Sequence, residues 1–197
     1  MAASEDRPFV SRGGEKLQAA LDGFGLDVAG RLCVDFGCNV GGFTDCLLRR
    51  RAAHVYALDT GYGELAWTLR KDPRVTVMER TNALYVPPPP QVAAKADLVV
   101  IDVAFTPQHL IVPATAAWLA PSGTVVSLLK PSYELEKMSP SRKPNMVIEF
   151  QQASQVCCQV CRRLAELGFV TLAAMVSPLR GKGGNLEFLL HLGRKEL

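Results

Sequence analysis

The sequence predicts an α/β fold: a doubly wound, mostly parallel, seven-stranded sheet with one antiparallel strand. Three observations predict it. Short runs rich in Val, Leu, Ile and Ala alternate with stretches of helical period from residue 11 onward, the pattern of strands joined by crossover helices. The runs at 169–176 and 186–192 are separated by a turn-rich stretch with no helix, so they form a hairpin and one of them runs antiparallel. Several runs also end on an acid or a lysine, at Asp35, Asp59, Asp102 and Lys130. In open sheets of this kind ligands sit outside the carboxyl ends of the strands.

In chain order, residues 1–10 are mostly small or polar and read as a mobile arm, leaving 11–197 as one domain. Ser11–Leu17 opens a helix to about Leu21, which Gly23 and Gly25 end. Arg31–Phe36 is the first strand, and Gly42–Arg51 its helix. The basic run Arg49–Arg51 sits at the favourable end of that helix dipole and requires no nucleic acid. His54–Asp59 is the second strand, Glu64–Arg70 a short helix and Arg74–Met78 the third strand. Pro87–Pro90 is a stiff connector. Asp97–Val103 is a strand apolar enough to be covered on both faces. A helix over 108–119 and a strand over Gly123–Leu129 follow, delivering Lys130-Pro131. Glu136–Pro144 is expected as an exposed loop, and Val147–Leu167 as a long helix closed by Gly168.

The stretch Val34-Asp35-Phe36-Gly37-Cys38-Asn39-Val40-Gly41-Gly42-Phe43-Thr44-Asp45 reads as strand, glycine turn and helix start. Its glycines, Gly37, Gly41 and Gly42, let backbone approach a ligand. A phosphate-gripping loop would need Lys before Thr44, where Phe43 stands. A dinucleotide fingerprint is broken where Asn39 replaces the second glycine. Asp35 repels a pyrophosphate and suits a ligand with positive charge, a sulfonium bearing an α-ammonium group, which points to S-adenosylmethionine. Asp59 follows Gly42 by 17 residues, near the ~20 at which an acid takes ribose hydroxyls. Its alternative is an ordinary strand-end acid. Asn82 can meet an adenine edge or simply serve its turn.

Lys130 closes an apolar strand with Pro131 behind it, so it either snorkels to solvent or is positioned for chemistry. An amine that takes a proton must first shed its own; burial and a second lysine favour that, and adjacent carboxylates oppose it.

A net charge of +3 permits an anionic partner without demanding one. No apolar run is long enough to span a bilayer and the first ten residues are polar, so the expectation is a cytoplasmic protein with no membrane partner. Cys157, Cys158 and Cys161 fall on one expected helix; the Cys-x-x-Cys there has no second pair to complete a metal site, and no metal is expected. Cys157 and Cys161 share the apolar face of Ala153, Val156, Val160 and Leu164, where a free thiol serves as a small hydrophobe.

Six segments together carry a resemblance: Ser11-Arg12-Gly13-Gly14-Glu15-Lys16-Leu17, Gly41-Gly42-Phe43-Thr44-Asp45-Cys46-Leu47-Leu48, Asp59-Thr60-Gly61-Tyr62-Gly63-Glu64-Leu65-Ala66-Trp67, Glu79-Arg80-Thr81-Asn82, Lys130-Pro131 and Gly184-Asn185-Leu186-Glu187-Phe188-Leu189. From about Val10 to Leu192 the chain resembles TlyA-type proteins, ribosomal RNA 2′-O-methyltransferases also labelled haemolysins, within the FtsJ-like group. The resemblance implies a Rossmann-like class I methyltransferase domain. It also implies a Lys-Asp-Lys-Glu catalytic set, which falls on Lys16, Asp102, Lys130 and Glu187. Lys130 would then take or guide the proton of a ribose 2′-hydroxyl, with Lys16, Asp102 and Glu187 orienting it. The cofactor positions it carries over are Gly41, Phe43, Asp59, Asn82 and Asp102.

The sequence departs from the family pattern in three places. Ala83-Leu84 stands where an Arg is expected, Lys130-Pro131-Ser132-Tyr133-Glu134 replaces Lys-Pro-Gln-Phe-Glu, and the stretch 138–144 is unfamiliar. Family members usually carry an RNA-binding module ahead of this domain, so a separate RNA-binding chain is one expectation. The expected substrate is structured RNA, ribosomal RNA first. Arg7, Arg12, Arg142, Lys143, Arg180 and Lys182 would meet its phosphates on rim segments. The alternatives are a non-catalytic RNA- or ribosome-binding factor on the same fold, and a membrane-active haemolysin, for which the sequence offers no strongly basic amphipathic helix.

Overall fold

Runs of aliphatic and β-branched residues form the strands β1 (Leu32–Phe36), β2 (His54–Leu58), β3 (Val75–Met78), β4 (Ala96–Ile101), β5 (Leu119–Leu129), β6 (Phe169–Val176) and β7 (Phe188–Arg194), buried on both faces in β1, β2 and β4 and exposed at alternate residues in the edge strand β6. The computed structural model describes residues 8–104, 106–138, 147–181 and 183–195. The strands form one sheet in the order β3-β2-β1-β4-β5-β7-β6. β1 pairs parallel with β2 and β4, as do β2 with β3 and β4 with β5. β7 is antiparallel to both β5 and β6, as a hairpin without a crossover helix requires. The chain winds outward from β1 to β3 and then returns to place β4 on the other side of β1. That switch point opens a crevice between the carboxyl ends of β1 and β4.

Helices α1 (Gly13–Gly23), α2 (Gly42–Arg49), α3 (Trp67–Arg70), α4 (Gln108–Ala114), α5 (Pro131–Met138) and α6 (Phe150–Glu166) cover the sheet. Alternate residues of each strand face opposite sides. Val34, Phe36, Ile101 and Leu129 share one core with Trp118, Ile111 and Leu164. Phe36 meets Trp118 edge-on at a centroid distance of 5.5 Å. Cys33, Val55, Val100 and Leu128 share the other with Leu17, Leu21, Phe43 and Leu47. Cys33 and Cys46 are buried there, and burial pushes each thiol up to about 12. On α6, Cys157 is buried, Cys161 half-buried and Cys158 exposed.

Several expectations need correction. Residues 9 and 10, expected in a mobile arm, are held in place. Phe9 is buried, lying so close over Gly14 that a Cβ there would come within 2.2 Å of its ring, with the Arg49 guanidinium 5.4 Å above. Val10 donates its N–H to Asp45 Oδ2 at 2.9 Å. The segment ahead of α1 is therefore fastened to α2. Replacing Phe9 with Ala is expected to lower stability by about 3 kcal/mol, as for other buried aromatics, read as a shift of the urea midpoint.

The helix expected over 108–119 stops at Ala114, passes through a 3-10 turn at Thr115–Ala117, and β5 starts at Leu119, its register against β4 broken between Ala96 and Leu98. Pro113 lies inside α4 and shortens its hydrogen-bond ladder. Residues 136–138 are helical rather than loop, because Pro131 occupies the first position of α5, where a missing N–H costs nothing. The rest of that expected loop, 139–144, lies outside the described residues.

Candidate active site

The glycine turn after β1 is held against its neighbours by three close approaches. Gly37 has φ +86°, and a Cβ there would come within 2.7 Å of the Asp102 carbonyl oxygen. Gly37 and Cys38 both donate to the Leu58 carbonyl at 2.9 Å, tying the turn to the end of β2. Gly42, the first residue of α2, lies against the start of α1: a Cβ there would meet Ser11 Oγ at 2.2 Å and the Gly14 nitrogen at 2.8 Å. The small residues thus let α1 lie across the turn and bring Lys16 to the crevice.

Two residues expected at the cofactor, Gly41 and Asp35, do not line the cavities at the carboxyl edge of the sheet. Gly41 caps α2 at φ +101°, and its missing side chain makes room for Leu65 and Leu69, which a Cβ would meet at 2.7 and 2.4 Å. Asp35 is fully buried beneath the turn. Thr44 donates its hydroxyl to Asp35 Oδ2 at 2.7 Å, and Asp35 Oδ1 has no protein partner. Burial raises this carboxyl to about 7, against the Thr44 bond and with a contribution from the Asp102 charge. Because the folded state holds this proton up to about pH 7 and the unfolded state only to its ordinary value near 3.8, stability should fall as pH rises between those limits and flatten above. Asp35→Asn should remove that slope. Urea midpoints at pH 5 and pH 8 check it, the wild type losing more than the variant.

Three cavities run along the carboxyl edge of the sheet. The first, about 330 Å³, is lined by Gly37, Asn39, Asp59, Asn82, Asp102 and Ile111 among others. The second, about 260 Å³, is lined by Ser11, Gly13, Lys16, Gly37, Asn39, Gly42, Phe43, Asp102 and Lys130 among others. The third, about 180 Å³, is lined by Lys16, Lys130, Ser132, Tyr133, Asn185 and Glu187. Gly37, Asn39 and Asp102 belong to both the first and second, and Lys16 and Lys130 to both the second and third.

Asp59 accepts the N–H of Asn39 at 2.8 Å and that of Gly61 at 2.7 Å, which leaves carboxylate lone pairs for hydroxyl donors in the first cavity. Asn39 is left-handed at φ 46°. Its contribution was unforeseen, although Asn inside a glycine turn is the residue type that tolerates that conformation. Asn82 is exposed, and its Oδ1 accepts the Leu84 N–H at 3.0 Å in an Asx turn, so it shapes the rim as well as lining it.

The expected catalytic four form two ion pairs. Lys130 Nζ lies 2.5 Å from Asp102 Oδ1 and 3.3 Å from the Val103 carbonyl oxygen. Lys16 Nζ lies 2.5 Å from Glu187 Oε2, with side chains 10% and 6% exposed. The pairs come from four separate elements: α1, the turn after β4, the end of β5, and the residue before β7. Gly181 lies against Glu187, where a Cβ would come within 2.3 Å of Oε1.

The FtsJ-like methyltransferase family matches residues 9–194. The chain belongs to this family. A 16S/23S rRNA (cytidine-2′-O)-methyltransferase TlyA of Mycobacterium tuberculosis is 42% identical over 194 residues, 98% of this chain and 71% of that relative. Hemolysin A of Brachyspira hyodysenteriae is 34% identical over 183 residues, 93% of this chain and 76% of that one. A candidate hemolysin from Streptococcus thermophilus, a solved structure, superposes with a TM-score of 0.87 at 35% identity, covering 98% of this chain and 70% of its own.

Within an FtsJ-like domain, the cavities fit a ligand with hydroxyls at one end and a cation at the other. Asp59 offers acceptors in the first cavity, the Gly37 and Gly42 backbones are bare in the second, and Asp102 borders both. Of the basic residues expected at RNA, Arg12 donates to the Arg180 carbonyl at 2.7 Å, and Arg180 donates to the Gly184 carbonyl at 2.8 Å. Both are exposed, and both brace the loop leading to Glu187. Arg7, Arg142, Lys143 and Lys182 lie outside the described residues. Among the described residues no helix is long and apolar enough to cross a membrane.

Proposed function

We propose that this protein transfers a methyl group from S-adenosylmethionine to a ribose 2′-hydroxyl of RNA, with ribosomal RNA as the substrate. The observation that carries this reading is the placement of the two lysine–carboxylate pairs at the junction of the second and third cavities. The name of the mycobacterial relative supports the ribose 2′-oxygen and rRNA. When bound, the cofactor supplies an electrophilic methyl on a sulfonium.

On this reading Gly37, Gly42 and Phe43 shape the methionine end, and Asp59 takes the ribose hydroxyls of the cofactor. Lys130 spends two of its three N–H donors on Asp102 and Val103. The third is free to hold the 2′-oxygen of the substrate, fixing the line of attack, which is chiefly a matter of positioning. As that oxygen becomes more acidic on bond formation, Lys130 passes one N–H proton to the Asp102 carboxylate and takes the hydroxyl proton in its place, so the proton released by the 2′-oxygen ends on the Lys130–Asp102 pair with Asp102 neutral. Lys16, anchored by Glu187, forms the opposite wall and holds the nucleotide in register. Arg12 and Arg180 present positive charge on the same rim to the phosphates. A ribosomal substrate places the reaction in the cytoplasm.

Incubation of the purified protein with methyl-labelled cofactor, comparing ribosomal subunits with naked rRNA, tests this. Label is expected in the RNA of at least one of the two. Label in neither would contradict the proposal.

A further inference from the structure

Lys130 and Asp102 meet across 2.5 Å, but each stands at the end of a strand and is followed by a turn that must be held in place. A second contact joins the two segments that follow them. Glu134, in the first turn of α5, is buried and accepts the backbone N–H of Gln108 at 2.7 Å through Oε1. Gln108 is the first residue of α4, at the far end of the connection that begins at Asp102. The start of α5 is locked to Lys130 in turn, because the Lys130 carbonyl accepts the N–H groups of Tyr133 at 3.0 Å and Glu134 at 3.3 Å.

The Gln108 side chain closes the arrangement onto β5. The β4–β5 ladder ends at the Ile101–Ser127 pair. Beyond it, Gln108 Nε2 donates to the Leu128 carbonyl at 3.3 Å, and Ser127 Oγ donates to Gln108 Oε1 at 2.6 Å. Gln108 and Ser127 are buried. A side chain therefore takes over where strand β4 leaves off, on the two residues just before the end of β5.

We propose that Glu134 is a positioning residue for the Lys130–Asp102 pair, a role that rests on the methyl-transfer reading above. The two segments form a closed frame with two rungs, Lys130–Asp102 on the cavity side and Glu134–Gln108 on the buried side. With only the first rung, the turn carrying Asp102 can slide relative to the end of β5, and the ammonium loses its fixed direction. Glu134 touches neither reacting atom nor cavity wall; it acts by fixing where α4 begins.

Burial holds the Glu134 carboxyl above its ordinary range, against the Gln108 N–H and the Arg163 charge. A neutral acceptor of the same shape should therefore serve as well. Glu134→Ala is expected to lower kcat by on the order of tenfold to a hundredfold through misplacement, with the Kd for S-adenosylmethionine unchanged. Glu134→Gln keeps an oxygen acceptor for the Gln108 N–H and should restore the wild-type rate. Two NMR readings need no RNA: the Gln108 amide should exchange slowly in wild type and Glu134→Gln but rapidly in Glu134→Ala, and the Lys130 ¹³Cε signal should move only in Glu134→Ala.

Wild-type kcat in Glu134→Ala, or an unmoved Lys130 signal alongside a rapidly exchanging Gln108 amide, would overturn the proposal. If Glu134→Ala does not fold, Glu134→Leu fills much of the same space but offers no acceptor to the Gln108 N–H; a lower kcat at unchanged cofactor Kd is expected, and wild-type kcat overturns the proposal. A wild-type protein that methylates no RNA would remove the methyl-transfer reading, while the Lys130 signal would still decide the frame.

Discussion

Lys130→Ala is expected to abolish measurable methyl transfer, a loss on the order of a thousandfold or more, while S-adenosylmethionine still binds within a few-fold of wild type. The separation follows from the geometry. On the proposed reading the cofactor lies against Gly37, Asp59 and their neighbours, whereas Lys130 stands where the second and third cavities join. Its amine has one N–H uncommitted after Asp102 and Val103, and methyl-only Ala offers none. Lys130→Arg should not restore activity, because a planar guanidinium cannot place a single donor at the same point while keeping Asp102. Isothermal calorimetry for the cofactor alongside a single-turnover assay on RNA measures the two halves separately. Full activity in Lys130→Ala would remove the lysine from the mechanism.

Gly42→Ala should have a comparable effect by a different route, losing cofactor affinity and activity together. The new methyl would lie 2.2 Å from Ser11 Oγ and 2.8 Å from the Gly14 nitrogen. The hydroxyl can rotate away, but the backbone of α1 cannot, so α1 must move off the turn and take Lys16 with it. Overpacking of this kind costs about 1–3 kcal/mol. Gly13→Ala is the internal control. Its Cβ would meet its nearest neighbour, Ser11 Oγ, at 3.4 Å, an ordinary contact, and the position is helical with no positive φ. Because Gly13 also lines the second cavity, the two variants are compared by stability: Gly13→Ala should keep its urea midpoint and Gly42→Ala should lose some. Equal midpoints would show that the approach of α1 to the turn does not govern the packing.

Much of this architecture was legible because its signals are local. The apolar runs ending at Phe36, Leu58, Ile101 and Leu129 are strands in any context that covers both their faces, and the polar residues just beyond them, Asp59, Asp102 and Lys130, inherit a shared rim from the parallel topology. The missing helix between β6 and β7 likewise dictated the one antiparallel strand. Lys16 and Glu187 were different. Nothing in their surroundings separates them from surface charges, and only the family pattern singled them out; their pairing joins residues at opposite ends of the chain.

The misses also have physical causes. Asp35 has the charge to suit a cation, but strand alternation turns it into the α2-facing core, where Thr44 meets it. Gly41 and Gly37 look alike in sequence; one frees space for leucines and the other for the Asp102 backbone. Phe9 stands in a polar stretch with no periodic partner, and its packing over Gly14, which leaves no room for a side chain at the start of α1, is visible only in the fold. The start of α5 was hidden by Pro131, which reads as a breaker unless it is taken as a first helical residue.

The central claim is that the methyl group goes to a ribose oxygen positioned by Lys130. The most direct test is to label RNA with the purified protein, digest it to nucleosides and identify the methylated product by mass spectrometry, then repeat with Lys130→Ala. The account predicts a 2′-O-methylated nucleoside from the wild type and none from the variant. Methylation on a base, or a 2′-O-methyl product at wild-type yield from Lys130→Ala, would contradict it.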